Sequence, residues 1–231
     1  MLLTTMRPDT GVLGIGRNTK QKRLLHAGIS PSSGLDSSQS KAFAGYTCVG
    51  LVGAKPHEVW DMISEPSRTW ASWLTSVSSV QEVDSRPLSE DTQEYEVIQK
   101  AIMSLCGYSM QADMHLVVHS NASNKQVTFT LKKKNKLMRS IQGRFQVWSL
   151  GDGKVIKEQL GHLNADELHD LLEKHGVDDH QLQDVSVVLL EQTVNPYMSP
   201  PPGFRGMLRR HLGNHFESMI ADLQNAPFAM S

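Results

Sequence analysis

Across the middle and the C-terminal third of the chain, apolar side chains recur at every second position in strand-length runs. Tyr95 and Val97 alternate with Glu94 and Glu96 in a strand read over 93–103. Tyr108, Met110, Ala112, Met114, Leu116 and Val118 face one way over 108–119, while Gln111, Asp113, His115 and His119 face the other. Val127, Phe129 and Leu131 alternate with Thr128 and Thr130, and Ile141, Gly143, Phe145 and Val147 mark the next strand, with Trp148 on its opposite face. Such alternation belongs to antiparallel sheets with one buried and one wet face. Less regular strands are predicted over 42–54, 77–83, 154–160 and 184–194, with turns at 84–90, at Cys106-Gly107, at 121–124 and at Gly151-Asp-Gly153. From the last strand, Val187 and Leu189 are assigned to the inner face.

Helical spacing interrupts this rhythm in four places. Pro56 opens a helix over 56–64 with Val59, Trp60 and Ile63 on its apolar face. A second short helix over 67–74 sets Trp70 and Trp73 on one side of a turn. Over 161–182, Asn164 and Glu167 resemble a capping box, Leu168, Leu171 and Leu172 follow, and Gly176 ends the segment; this reads as a helical insertion between two strands. A stiff loop, Asn195-Pro-Tyr-Met-Ser-Pro-Pro-Pro-Gly203, leads into the final helix over 203–226, striped by Leu208, Leu212, His215, Met219 and Leu223. The order of elements predicts an α+β fold in which a curved antiparallel sheet wraps around a long C-terminal helix. The space between them is the natural place for a cavity.

Composition narrows the function classes. The 231 residues carry a net charge of −1, so no global field draws in nucleic acid or membrane. The run Lys132-Lys-Lys134 has no interleaved aromatics and reads as a solvated hairpin end. Cys48 and Cys106 lie in apolar stretches, where free cysteine behaves as a small hydrophobe. The first 40 residues differ from the rest: Arg7, Arg17, Lys20, Lys22 and Arg23 face only Asp9 and Asp36, and a Ser/Gly-rich run ends the segment. That composition suits an organelle transit peptide or a disordered leader. Gly11, Gly14 and Gly16 lack the strand–helix setting of a dinucleotide fingerprint. The domain proper is read as 41–228, with 161–182 inserted in it.

Several segments resemble the START-like (helix-grip, SRPBCC) superfamily, and within it the polyketide cyclase and coenzyme Q-binding branch. Lys55-Pro-His-Glu-Val-Trp-Asp-Met-Ile63 is similar to the opening-helix pattern P-x-x-V-W-x-x-I. The segment from Trp70 to Val83 is similar to the W-x-x-W/F-x-x-x-V-x-x-V stretch leading into the second strand. Ser140-Ile-Gln-Gly-Arg-Phe-Gln-Val-Trp148 with Gly151-Asp-Gly153 resembles the hairpin G-x-W-x-x-x-p…d-G, with Phe145 where many members carry Trp. Tyr197 to Leu223 resembles the closing loop and helix. The resemblance spans about residues 42–226. It implies a cavity fold that holds apolar small molecules, and its organellar relatives favour the plastid over the mitochondrion, with the cytoplasm as the alternative.

The expected function is non-catalytic binding or transfer of a hydrophobic ligand, a lipid, quinone or other isoprenoid. The cavity candidates are Tyr95, Val97, Gln99, Tyr108, Met110, Met114, Leu116, Phe129, Phe145, Leu208, Leu212, His215 and Met219. Methionines suit an irregular apolar ligand, and Gln99 and His215 supply polar groups on otherwise apolar faces. Arg205, Arg209 and Arg210 beside the Pro-rich loop are candidates for membrane headgroup contact. No cofactor and no metal is expected; His211 and His215 are spaced for a metal, but the sequence places no third ligand. Two other classes stay open: an organelle assembly protein that docks a partner at 161–182, and a cyclase-like enzyme.

Overall fold

A computed structural model describes residues 44–105, 108–152, 179–197 and 203–228. Among the described residues seven strands form one antiparallel sheet: β1 (Ala44–Val52), β2 (Val77–Pro87), β3 (Thr92–Leu105), β4 (Tyr108–Asn121), β5 (Gln126–Leu131), β6 (Met138–Ser149) and β7 (Ser186–Pro196). Their spatial order is β1-β7-β6-β5-β4-β3-β2, so the first strand pairs with the last while the middle strands form a meander. Helices α1 (Pro56–Ser64) and α2 (Pro66–Trp73) bridge β1 and β2, and α3 (Phe204–Gln224) lies against the inner face. The α+β arrangement expected from the pattern is the one observed. The predicted leader over 1–40, Cys106-Gly107, the strand over 154–160 and nearly all of the insertion over 161–182 lie outside the described residues. Among the described residues no helix is long and apolar enough to cross a membrane.

Local chemistry explains the helical corner. Pro66 opens α2 as Pro56 opens α1, each at a position where the missing N–H costs nothing. The Glu58 carboxylate accepts from the Lys55 backbone N–H at 2.8 Å and so closes the first turn of α1. The two helices are pinned together by indole donors: Trp70 Nε1 donates to the Ile63 carbonyl and Trp73 Nε1 to that of Met62, both at 2.9 Å. These bonds let both rings be buried without a stranded N–H.

Boundaries of β2 and β7 differ from the sequence reading for identifiable reasons. β2 runs on to Pro87 where a turn from Asp84 was expected, because its last residues are exposed on both faces and carry no alternation. Backbone pairing with β3, down to Pro87 opposite Gln93, holds them. β7 begins at Ser186, after a short 3-10 helix (Asp179–Asp184), and continues through Asn195 and Pro196. Asn195 there donates to Ser140 Oγ at 2.9 Å, and the Tyr197 N–H reaches the Leu137 carbonyl at 2.8 Å.

The parity of β7 is the larger correction. Its inner face carries Val188, Leu190, Gln192 and Val194, in register with Val147, Phe145, Gly143 and Ile141 of β6. Val187 and Leu189, expected inside, face outward opposite Trp148 and Gln146. Residues from Ser186 to Val194 are buried on both faces, so the apolar run has no alternation from which parity could be read.

Candidate functional site

The core fills the angle between α3 and the sheet, and a cavity of about 70 Å³ is left within it. Its floor comes from Gln99 and Ala101 of β3, Met114 and Leu116 of β4, Phe129 of β5, Met138, Ile141 and Phe145 of β6, and Gln192 and Val194 of β7. Leu212, His215, Phe216 and Met219 of α3 form the opposite wall, and Trp70, Leu74 and Ser76 close one end. Cross-strand registry explains the convergence: Gln99 faces Met114 and Val97 faces Leu116, so odd positions of β3 and even positions of β4 share the inner side.

The aromatic wall is a connected set. Trp70 meets Phe129 and Phe145 edge-on at centroid distances of 6.1 and 6.5 Å, and Trp73 meets Phe145 at 6.1 Å. Such edge-to-face pairs fix ring positions as well as burying area.

Eight of the sequence-predicted residues come together here: Gln99, Met114, Leu116, Phe129, Phe145, Leu212, His215 and Met219. Val97 is fully buried core beside the cavity, not on its wall. Tyr95 and Leu208 are partly buried against the core, and Met110 is partly buried further along β4 towards Tyr108; none lines the cavity. Position on the correct face was legible for all four, but the cavity occupies only the stretch of that face under the middle of α3. Arg210 is exposed on α3. The side chains of Tyr108, Arg205 and Arg209 lie outside the described residues.

Lining residues that the pattern missed include Trp70, Ser76, Met138, Phe216 and Gln192. Phe216 falls one turn after Leu212 and belonged to the visible stripe. Gln192 was hidden by the inverted parity of β7.

Electrostatics separates the polar groups. Burial holds the His215 imidazole below its ordinary pKa, and the neighbouring His211 pushes the same way, against the pull of Asp222. A neutral ring, able to donate from one nitrogen and accept at the other, therefore faces the cavity. Burial raises the pKa of Glu217 on the same helix. The Cys48 thiol, 1% exposed, is pushed up to about 12 by burial and then by the Glu217 charge, which makes it an inert apolar group. Outside the core, Arg144 and Glu191 form an ion pair at 2.5 Å across β6 and β7 on the outer face.

Comparison with known proteins places the fold. The Zhui aromatase/cyclase from a Streptomyces species superposes with a TM-score of 0.50 over 78% of this chain and 91% of that one, at 9% identity. A START superfamily protein from Mycobacterium smegmatis gives 0.45 over 78% of this chain and 94% of that one, at 11% identity. No family model and no curated protein matches the sequence. The chain has the START-like, helix-grip type of fold, as its motifs suggested.

Proposed function

We propose that this protein binds a hydrophobic small molecule, without chemistry, in the cavity between α3 and the sheet. The observation that carries the reading is the cavity itself, walled by aromatic rings and three methionines and entered by few polar groups. Apolar contact supplies affinity without an ionic anchor, at roughly 0.8 kcal/mol per buried methylene. The volume of about 70 Å³ is well short of the roughly 300 Å³ of an ordinary ligand pocket. Loading a long isoprenoid or acyl chain would thus require α3 or the thioether side chains of Met114, Met138 and Met219 to move. Exposed Tyr197 belongs to the Pro-rich loop and exposed Met207 follows it in the sequence, and with Arg210 they would give the entrance an amphipathic rim for an anionic membrane surface. Plastid residence, on the strength of the basic, Ser-rich first 40 residues, belongs to the same proposal.

The test is a titration with N-phenyl-1-naphthylamine, an uncharged fluorescent apolar probe. Enhancement is expected with the wild type, and Ala101→Leu, which fills the cavity from β3, is expected to weaken it at least tenfold with an unchanged circular dichroism spectrum. Equal binding by both proteins, or none by the wild type, would sink the reading.

The second reading is a cyclase-like enzyme, favoured by His215. A cavity imidazole kept neutral is a competent general base. It ranks second because His215 is the one acid–base side chain of the described lining, so a partner acid would have to come from the substrate.

A further inference from the structure

We propose that the ligand of this cavity carries a hydroxyl or N–H donor on a ring-containing apolar body, and that the donor bonds to Oε1 of Gln192. The inference rests on the pocket reading above and adds to it the chemistry of what is bound.

Gln192 is 8% exposed and lines the cavity, and its carbonyl oxygen has no hydrogen-bond partner. The large majority of buried side-chain acceptors in native proteins are hydrogen-bonded, because a stranded one loses its hydration and gains nothing. The position does not demand a polar residue. Leu190 and Val194, one step along the inner face in each direction, are apolar. The residue opposite on β6 is Gly143, which has no side chain, and Tyr46, opposite on β1, makes no hydrogen bond to this oxygen. Gln99 and His215 also face the cavity and make no side-chain hydrogen bond among the described residues. A hydrocarbon in this space would leave all of these groups unpaired, whereas one donor on the ligand satisfies the most buried of them.

The walls and the volume fix the rest of the ligand. Trp70, Phe129, Phe145 and Phe216 present ring faces and edges, and about 70 Å³ suits a single ring better than a chain. A site built to bond a hydroxyl discriminates strongly against the analogue that lacks it.

Phenol and toluene, alike in shape and different in one hydroxyl, are the probes. The full chain is titrated with each, and affinities are read from chemical-shift changes in its amide spectrum. Phenol is expected to bind at least tenfold more tightly than toluene, although toluene is the more hydrophobic of the two. Gln192→Leu is expected to bring the two affinities within about twofold by weakening phenol. Equal affinities in the wild type, or a phenol preference that survives Gln192→Leu, would overturn the donor anchor and leave the pocket standing. If neither ring binds the wild type, the pocket reading falls and this inference falls with it. The wild-type comparison needs no variant, so a folding defect in Gln192→Leu would not shield the proposal.

Discussion

The ring of Phe129 lies across the α-carbon of Gly143, its register partner on the neighbouring strand. A β-carbon at position 143 would meet the ring edge at Cε2 and the Glu191 carbonyl oxygen, each at 2.8 Å, closer than real side chains approach. Glycine is required here by lack of room. Gly143→Ala is expected to displace the ring that forms part of the cavity wall and to cost about 1–3 kcal/mol, as overpacking does. For a domain of this size, that lowers the melting temperature by about 2–4 °C per kcal/mol. An unchanged thermal transition would show that the strands separate more easily than their packing indicates.

The Arg144–Glu191 pair should behave asymmetrically. Glu191 is the more enclosed partner, with its side chain 9% exposed against 32% for Arg144. Removing the arginine leaves a buried carboxylate uncompensated, which costs roughly 3–5 kcal/mol at fully buried sites and somewhat less here. Arg144→Met should therefore destabilise more than Glu191→Leu, and the double variant should regain most of the loss. Additive losses in denaturant titrations would argue that the two side chains act independently.

His215 makes stability depend on pH with a definite sign. Its folded-state pKa lies below the unfolded value of about 6.5, so the folded protein binds fewer protons there than the unfolded chain. The contribution is whole above that value and is lost as pH falls beneath it. Asp222, the opposing influence, is itself held by the Thr75 backbone N–H and hydroxyl at 2.9 and 2.8 Å. Between pH 7.5 and 5.5 the wild type should lose stability relative to His215→Met. Parallel curves would place the imidazole in contact with solvent.

Cys48 should resist modification. With its thiol pushed up to about 12 and its surface hidden, it offers no appreciable thiolate at pH 8. Site-resolved mass spectrometry after iodoacetamide treatment, which separates Cys48 from Cys106, should show Cys48 labelled only at the rate of global unfolding. Rapid labelling under native conditions would mean that β1 opens locally.

The sequence spoke clearly wherever one face of a strand is wet. The inner sets of β3 to β6 follow from the alternation about Val97, Leu116, Phe129 and Phe145, and α3 from the stripe through Leu212 and Met219. It fell silent where both faces are alike. β7 is apolar on both sides, which inverted its parity and concealed Gln192, while the outer half of β2 is polar on both sides, which concealed its length. Trp70 was visible as part of a helical face, but that this face closes one end of the cavity depends on how α2 docks on α1. Cavity size lay beyond any pattern, because it is the small remainder after large side chains have been fitted together.

The pairing of β1 with β7 has a consequence for how the molecule comes into being. Ala44 lies opposite Val194, and Gln224 Nε2, near the end of α3, donates to the Leu51 carbonyl at 2.7 Å. The first strand thus waits for the last strand and the last helix, and the loop that must close before the core exists is most of the domain. Chains dominated by such distant pairings fold slowly, on the scale of milliseconds to seconds. On a ribosome β1 stays without its strand partner until β7 and α3 have been made, so the core of this domain closes late in its own synthesis.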